Sequence, residues 1–137
     1  MRPICENRPR VLTHVSEPDK APNGMEYFMQ TETRWYHYIA YFVGGVFFAN
    51  AIPHLVNGMS GSPFQSPFAT PPGKGLSSAT VNVLWGSFNL VVAYVLVVRV
   101  GRFDLRQTWH VVVLGVGALL IALRLAQHFG QFHGGNL

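Results

Sequence analysis

Charged residues are scarce in this chain of 137 residues. Asp, Glu, Lys and Arg make up 12% of the sequence, whereas a soluble domain normally has about a quarter. Hydrophobic residues make up 49% and are concentrated in three blocks. The composition therefore predicts a membrane protein and argues against an ordinary soluble domain.

The sequence also lacks the residue patterns on which common active sites depend. We find no Ser-His-Asp order, no glycine-rich phosphate loop and no paired carboxylates. Cys5 is the only cysteine, which excludes an intrachain disulfide and a cysteine-based metal site within one copy. We therefore expect a protein that is not an enzyme and that has no catalytic residues, metal site or bound cofactor.

What the chain has instead is three long apolar runs. They cover residues 35–56, 78–98 and 108–129, and each is about 20 residues long, enough for a helix to cross a hydrocarbon core about 30 Å thick. We predict an all-α membrane protein with three transmembrane helices in residues 35–137. A polar, proline-rich segment, residues 1–34, precedes them, and a loop, residues 57–77, joins the first two helices.

Charge placement predicts the orientation of the helices. Three spans put segment 1–34 and the turn near residues 101–106 on one side, and loop 57–77 and the C-terminus on the other. Most Lys and Arg, and all 6 acidic residues, fall on the first side. By the positive-inside rule the N-terminus is cytoplasmic and the C-terminus is outside. The net charge of +4 is then a topology signal, and no nucleic-acid partner is predicted.

The N-terminal segment is expected to contact a partner. Residues 1–25 are rich in proline and lack helical or strand periodicity, which is typical of chain that does not fold alone. We expect this tail to become ordered against other membrane protein subunits.

A polar face is predicted on the second span. Asn82, Trp85 and Asn89 recur at i, i+3 and i+7, and Asn50 lies deep in the first span. An unpaired amide in hydrocarbon costs several kcal/mol, so these side chains should face protein, water or a ligand. They either hold helices together or form a polar pocket for a quinone, a lipid or a small solute.

Small residues predict where the helices touch. Gly45 and Ala49 in the first span, and Ala118 and Ala122 in the third, have the spacing that lets helix backbones approach closely. Pro53 lies near the end of the first span, where we expect a kink or the end of the helix.

Four histidines lie near the ends of the first and third spans. His37 and His110 fall at the cytoplasmic ends, and His54 and His128 at the outer ends. Pairs on two helices are compatible with the axial ligands of a b-type haem, for which His54 and His128 are the better pair. The alternative is that all four are ordinary amphipathic side chains at the membrane interfaces.

Arg124 is the charged residue inside the third span. It is close enough to the outer interface for its side chain to reach a lipid phosphate, which we favour over contact with a buried site.

The first loop has the most distinctive sequence, SPFQSPFATPPGKGLSS from Ser62 to Ser78. Its prolines predict a stiff, non-helical segment. Phe64 and Phe68, which we expect to be exposed in the loop, then need a surface to contact. They could enter the outer leaflet, cap the helix bundle or fill a groove on another protein.

Residues 50–89 carry a resemblance. With the stretches NAIPHLVNG, GSPFQSPFATPPGKGLSS and VNVLWGSFN, this part of the chain resembles a family of small uncharacterised multi-pass proteins of the bacterial inner membrane. The resemblance implies that location, and no reaction, cofactor or site residue. The three-span layout is also similar to the membrane anchors of succinate dehydrogenase, although the arginine and histidine motifs expected of those anchors are absent.

Three functions remain open. The first is a non-catalytic accessory subunit of a larger bacterial membrane complex, which binds other subunits and lipids through its helices, tail and loop. The second is a haem b or quinone-binding anchor of a redox complex that uses His54, His128 and the asparagine face. The third is a small homo-oligomeric channel or transporter with Asn50, Asn82 and Asn89 along its path.

Overall fold

The structure is a computed structural model that describes residues 33–132 and Gly134. It has three long helices: α1, Trp35–Met59; α2, Ala79–Tyr94, which continues as a π-helical segment, Val95–Val100; and α3, Thr108–Gly130. Each is long and apolar enough to cross a membrane, which confirms the predicted helical class and its three candidate spans. The predicted partner-binding tail, residues 1–25, lies outside the described residues, as does the rest of segment 1–34 up to residue 32.

Helix α1 is longer than the apolar run that predicted it. It passes through Pro53 and ends at Met59. Of the two outcomes expected near Pro53, a kink or the end of the helix, the helix end does not occur. Pro53 has no N–H with which to continue the helical hydrogen bonds. The carbonyl oxygen of Pro53 accepts a hydrogen bond of 2.8 Å from Nδ2 of Asn57, one turn further along α1.

Helix α1 is the central element of the bundle. It packs against α2 and against α3, whereas α2 and α3 make almost no contact with each other. The most apolar window of α1 is 33% buried, compared with 22% for α2 and 11% for α3. Most of the surface of the two outer helices is therefore apolar and open.

Glycines allow α1 and α3 to approach closely. A Cβ atom built on Gly45 would overlap the carbonyl oxygen of Leu114 and lie 3.0 Å from the backbone nitrogen of Ala118. A Cβ atom on Gly117 would overlap the carbonyl oxygen of Phe42. The predicted contact at Gly45 and Ala118 is confirmed, and the spacing rule missed its counterpart at Gly117.

Glycines also allow α1 and α2 to approach closely near the loop. A Cβ atom on Gly58 would lie 2.8 Å from the carbonyl oxygen of Ala79, and one on Gly86 would lie 2.6 Å from Cγ of Leu55. Both distances are shorter than a carbon atom tolerates, so each position depends on the absence of a side chain.

The loop between α1 and α2 folds into a small hairpin. Strands β1, Phe64–Gln65, and β2, Leu76–Ser77, pair antiparallel with Phe64 opposite Ser77. Ser66 organises the segment between them: its Oγ atom lies 2.6 Å from Oγ of Ser77, and its carbonyl oxygen accepts a 2.9 Å bond from the N–H of Gly73. The loop is therefore non-helical, as predicted, and ordered by its own hydrogen bonds.

Candidate functional site

Buried polar side chains lie in two clusters near the two ends of α1. The loop-end cluster lies beneath the hairpin, and the turn-end cluster lies beside the turn between α2 and α3. The buried polar residues are His37 and His110 at the turn end, and His54, Gln65, Ser66, Ser77 and Asn82 at the loop end, with Asn89 between them.

Asn82 is the centre of the loop-end cluster. Its side chain is 0% exposed. Its Nδ2 atom lies 3.1 Å from each of three carbonyl oxygens, those of Phe64, Ser77 and Ser78. Its Oδ1 atom lies 2.8 Å from Nδ1 of His54. One amide therefore joins α1, both strands of the hairpin and the start of α2.

These contacts determine the tautomer of His54. An amide nitrogen donates and an amide oxygen accepts, so the carbonyls fix which end of Asn82 faces the histidine. Nδ1 of His54 must then donate to Oδ1 of Asn82. In the neutral ring, Nε2 keeps the lone pair. None of the described residues forms a hydrogen bond with that nitrogen.

The other two asparagines join α1 to α2 further along the bundle. Nδ2 of Asn50 donates to Oδ1 of Asn89 at 3.0 Å, and Nδ2 of Asn89 donates to the carbonyl oxygen of Trp85 at 2.7 Å. Asn89 is fully enclosed. The polar face predicted from the i, i+3, i+7 spacing thus lies against α1, with its amides bonded to protein.

A cavity of about 420 Å³ opens beside this face. We call it the loop-end cavity. All three helices and the loop contribute to its wall, through Asn50, His54, Gln65, Trp85, His128 and Phe129 among others. The structure thus brings His54 and His128 to the same cavity, together with two members of the predicted polar face.

The loop is fastened over this cavity from both sides. Nε2 of His128, on α3, lies 3.0 Å from the carbonyl oxygen of Gly73, to which it donates. Asn82, on α2, holds the two strands. Gln65, in β1 of the loop, is 4% exposed, and its Oε1 atom is a buried acceptor without a hydrogen-bond partner in the described part of the chain.

The two loop phenylalanines have different environments. Phe64 is only 6% exposed, and its ring centroid lies 5.5 Å from that of His54 and 4.7 Å from that of Phe129. The expectation that it is exposed was wrong, because the hairpin turns it onto the ends of α1 and α3. Phe68 is 64% exposed, and its ring centroid lies 5.2 Å from that of Trp85 in a T-shaped arrangement. Phe64 therefore caps the bundle, while Phe68 presents its ring outward.

The turn-end cluster is built on Tyr41, which the sequence analysis did not single out. Its hydroxyl donates to the carbonyl oxygen of Gly101, and a Cβ atom on Gly101 would overlap the tyrosine ring. Nδ1 of His110 accepts a 3.1 Å bond from the N–H of Asp104, and its Nε2 lies 3.1 Å from Oγ1 of Thr33. The histidine is 5% exposed and structural in its contacts.

We expect the Tyr41→Phe variant to lower the free energy of unfolding by about 1–3 kcal/mol, because the buried carbonyl of Gly101 loses its donor. Unfolding by titration with SDS in detergent micelles measures this change. Tyr94→Phe is the matched control, since Tyr94 is 55% exposed and should change stability little. Equal stability of the two variants would contradict a structural role for the Tyr41 hydroxyl.

Arg124 lies on the exposed surface of α3. Its Nη1 atom donates to Oε1 of Gln127 on the same helix at 3.4 Å. It does not line the loop-end cavity. Contact between its guanidinium and a lipid phosphate stays a prediction.

Comparison with protein families, with curated proteins and with solved structures finds no match for this chain. The resemblance to small multi-pass bacterial membrane proteins accordingly stays a prediction. Any assignment of function rests on the geometry of the helices, the loop and the cavity.

Proposed function

We propose that the chain is a non-catalytic accessory subunit of a larger complex in the bacterial inner membrane. The observation that carries this proposal is that the buried polar side chains form hydrogen bonds within the bundle. The side chains of Asn50, Asn82, Asn89 and Tyr41 bond to other parts of the bundle. Such contacts fix the positions of the helices and the loop, as we expect of a structural subunit.

The outer helices provide the surfaces for partners. Helix α3 exposes a row of apolar side chains at helical spacing: Val112, Val116, Leu119 and Leu123 are between 42% and 58% exposed. In a bilayer this face meets either lipid tails or a helix of another subunit. Phe68 adds an exposed aromatic ring at the loop end of α2. Together these features supply apolar contacts along α3 and at the loop end of the bundle.

The N-terminal segment supplies a third contact in this proposal, on the cytoplasmic side. We expect deletion of residues 2–24 to reduce co-purification with partner subunits several-fold while the helical content stays unchanged. The measurement is affinity purification of the tagged chain from gently solubilised membranes, with partner abundance determined by mass spectrometry. Circular dichroism of the same samples is the control for folding. Partners retained at full stoichiometry by the deleted chain would rule out the role of the tail.

A redox-anchor function has one specific observation in its favour. His54 and His128 line the same cavity, and each uses one ring nitrogen to donate to a carbonyl oxygen. Ligand histidines of metal sites commonly donate their other nitrogen in this way. His128 uses Nε2 for this bond, so Nδ1 would have to face a haem iron. A haem b or a quinone head group is the cofactor that this alternative would place in the cavity.

A further inference from the structure

We propose that the loop-end cavity binds an uncharged ring that carries a hydroxyl group, and that this hydroxyl donates a hydrogen bond to Nε2 of His54. The chemical class is that of phenols and hydroquinones. The inference goes beyond the accessory role and does not depend on it, because the site lies within one chain.

The hydrogen bond of His54 to Asn82 decides what its other ring nitrogen can bind. Its Nδ1 donates to Asn82, so the ring can only accept at Nε2. The side chain is 3% exposed and lines the cavity. A molecule that complements this acceptor must bring a hydrogen-bond donor.

The cavity wall contains aromatic rings. Trp85 and Phe129 both line it, and the ring centroids of Trp85 and His54 are 6.4 Å apart. Aromatic side chains favour stacked or edge-on contacts with a planar ring. Pro67 and Pro72 of the loop add further apolar surface. A flat ring is therefore better matched than a flexible aliphatic chain.

The described lining of the loop-end cavity is uncharged. Among the residues that the structure describes, no Asp, Glu, Lys or Arg lines it. A phosphate or carboxylate would lose its hydration there without a cation to replace it, which is costly in a cavity of low polarity. A cationic amine would lose its hydration in the same way, without an anion to replace it. The preferred ligand is neutral.

The acceptor at Nε2 of His54 distinguishes the reduced from the oxidised form of a ring. A hydroquinone hydroxyl can donate to Nε2 of His54, whereas the oxygens of a quinone only accept hydrogen bonds. We therefore expect the cavity to favour the hydroquinone. A dimethyl ether of the same ring keeps the ring and both oxygens, adds two methyl groups and has no donor, and it serves as the control ligand.

The test uses Trp85 as a reporter in the purified full-length chain. Trp35 and Trp109 are 74% and 69% exposed, so replacing both with Phe leaves Trp85 as the remaining tryptophan at small structural cost. The probes are a methylated hydroquinone, its dimethyl ether and a decyl-substituted hydroquinone, under anaerobic conditions. In lipid nanodiscs, tighter binding of the decyl form than of the methylated form indicates a ligand that comes from the membrane. Equal affinity for the two forms indicates a ligand that comes from the water-soluble pool.

The informative protein variant is His54→Asn. Its amide nitrogen takes the place of Nδ1 and keeps a donor for Asn82, while the acceptor at Nε2 is lost. His37→Asn is the matched control, since His37 is a buried histidine of the same helix outside the cavity.

We expect saturable quenching of Trp85 by the hydroquinones, at least about tenfold weaker binding of the dimethyl ether, and a loss of about tenfold in His54→Asn but none in His37→Asn. Three results would each overturn the proposal: no saturable quenching by either hydroquinone, equal affinity for the dimethyl ether, or unchanged affinity in a folded His54→Asn variant. The first two results are measured with His54 intact, so they test the proposal even if the His54→Asn variant does not fold.

Discussion

The Asn82→Leu variant is expected to lose about 3 kcal/mol or more of unfolding free energy and to release the loop from the helices. Leucine has a similar size, so the main loss is that of hydrogen bonds. The carbonyls of Phe64, Ser77 and Ser78 lose their shared donor, and Nδ1 of His54 loses its acceptor. Each buried polar group left unpaired costs about 1–3 kcal/mol, and Asn82 and His54 are both buried.

Two measurements follow the change at Asn82. Titration with SDS reports the stability of the bundle, and limited digestion with trypsin reports the loop, because Lys74 lies at its exposed surface. Faster cleavage after Lys74 is expected in Asn82→Leu. Asn57→Leu is the control, since within the described part of the chain Asn57 makes a single side-chain bond, to the carbonyl oxygen of Pro53 in its own helix. If both variants show the same stability and cleavage rate, Asn82 does not hold the loop.

The Gly117→Val variant is expected to force α3 away from α1. A Cβ atom at this position would overlap the carbonyl oxygen of Phe42 and lie 2.9 Å from its carbonyl carbon. These are backbone atoms, which cannot turn aside as the end of a side chain can. We expect a loss of about 3 kcal/mol, at the upper end of the usual cost of overpacking, and a lower yield of folded protein.

Gly115→Val provides a matched control in the same helix. A Cβ atom on Gly115 would have no atom within 4 Å, so only the local helix propensity changes. Valine is slightly better than glycine in a helix, and the variant should be as stable as the parent chain or more stable. The measurements are the unfolding midpoint in SDS and the fraction of monodisperse protein after extraction. Similar losses at Gly115 and Gly117 would contradict the close contact of α1 with α3.

The helices could be predicted from the sequence because a membrane span needs only length and apolar composition. The asparagine spacing also predicted a common face for Asn82, Trp85 and Asn89, since helical periodicity alone decides which side chains share a face. The extension of α1 through Pro53 was harder to predict, because a proline interrupts the backbone hydrogen bonds without stopping every helix.

Contacts between segments far apart in the chain were not predictable in the same way. The hairpin strands have two residues each, too short to show a period of alternation. The burial of Phe64 depends on where that hairpin folds. The bond between Tyr41 and Gly101 depends on the return of the chain after α2. His54 and His128 were assigned to the same end of the bundle, but only the folded loop joins them in one cavity.

The measurement that tests the accessory role most directly is extraction of the native protein in a gentle detergent, followed by size-exclusion chromatography with an absorbance spectrum and mass spectrometry of each peak. We predict that the chain elutes with larger, different subunits at fixed stoichiometry. A small homogeneous peak that contains only this chain would contradict the proposal. Haem absorbance in that peak would favour the redox anchor, and a colourless oligomer would favour transport.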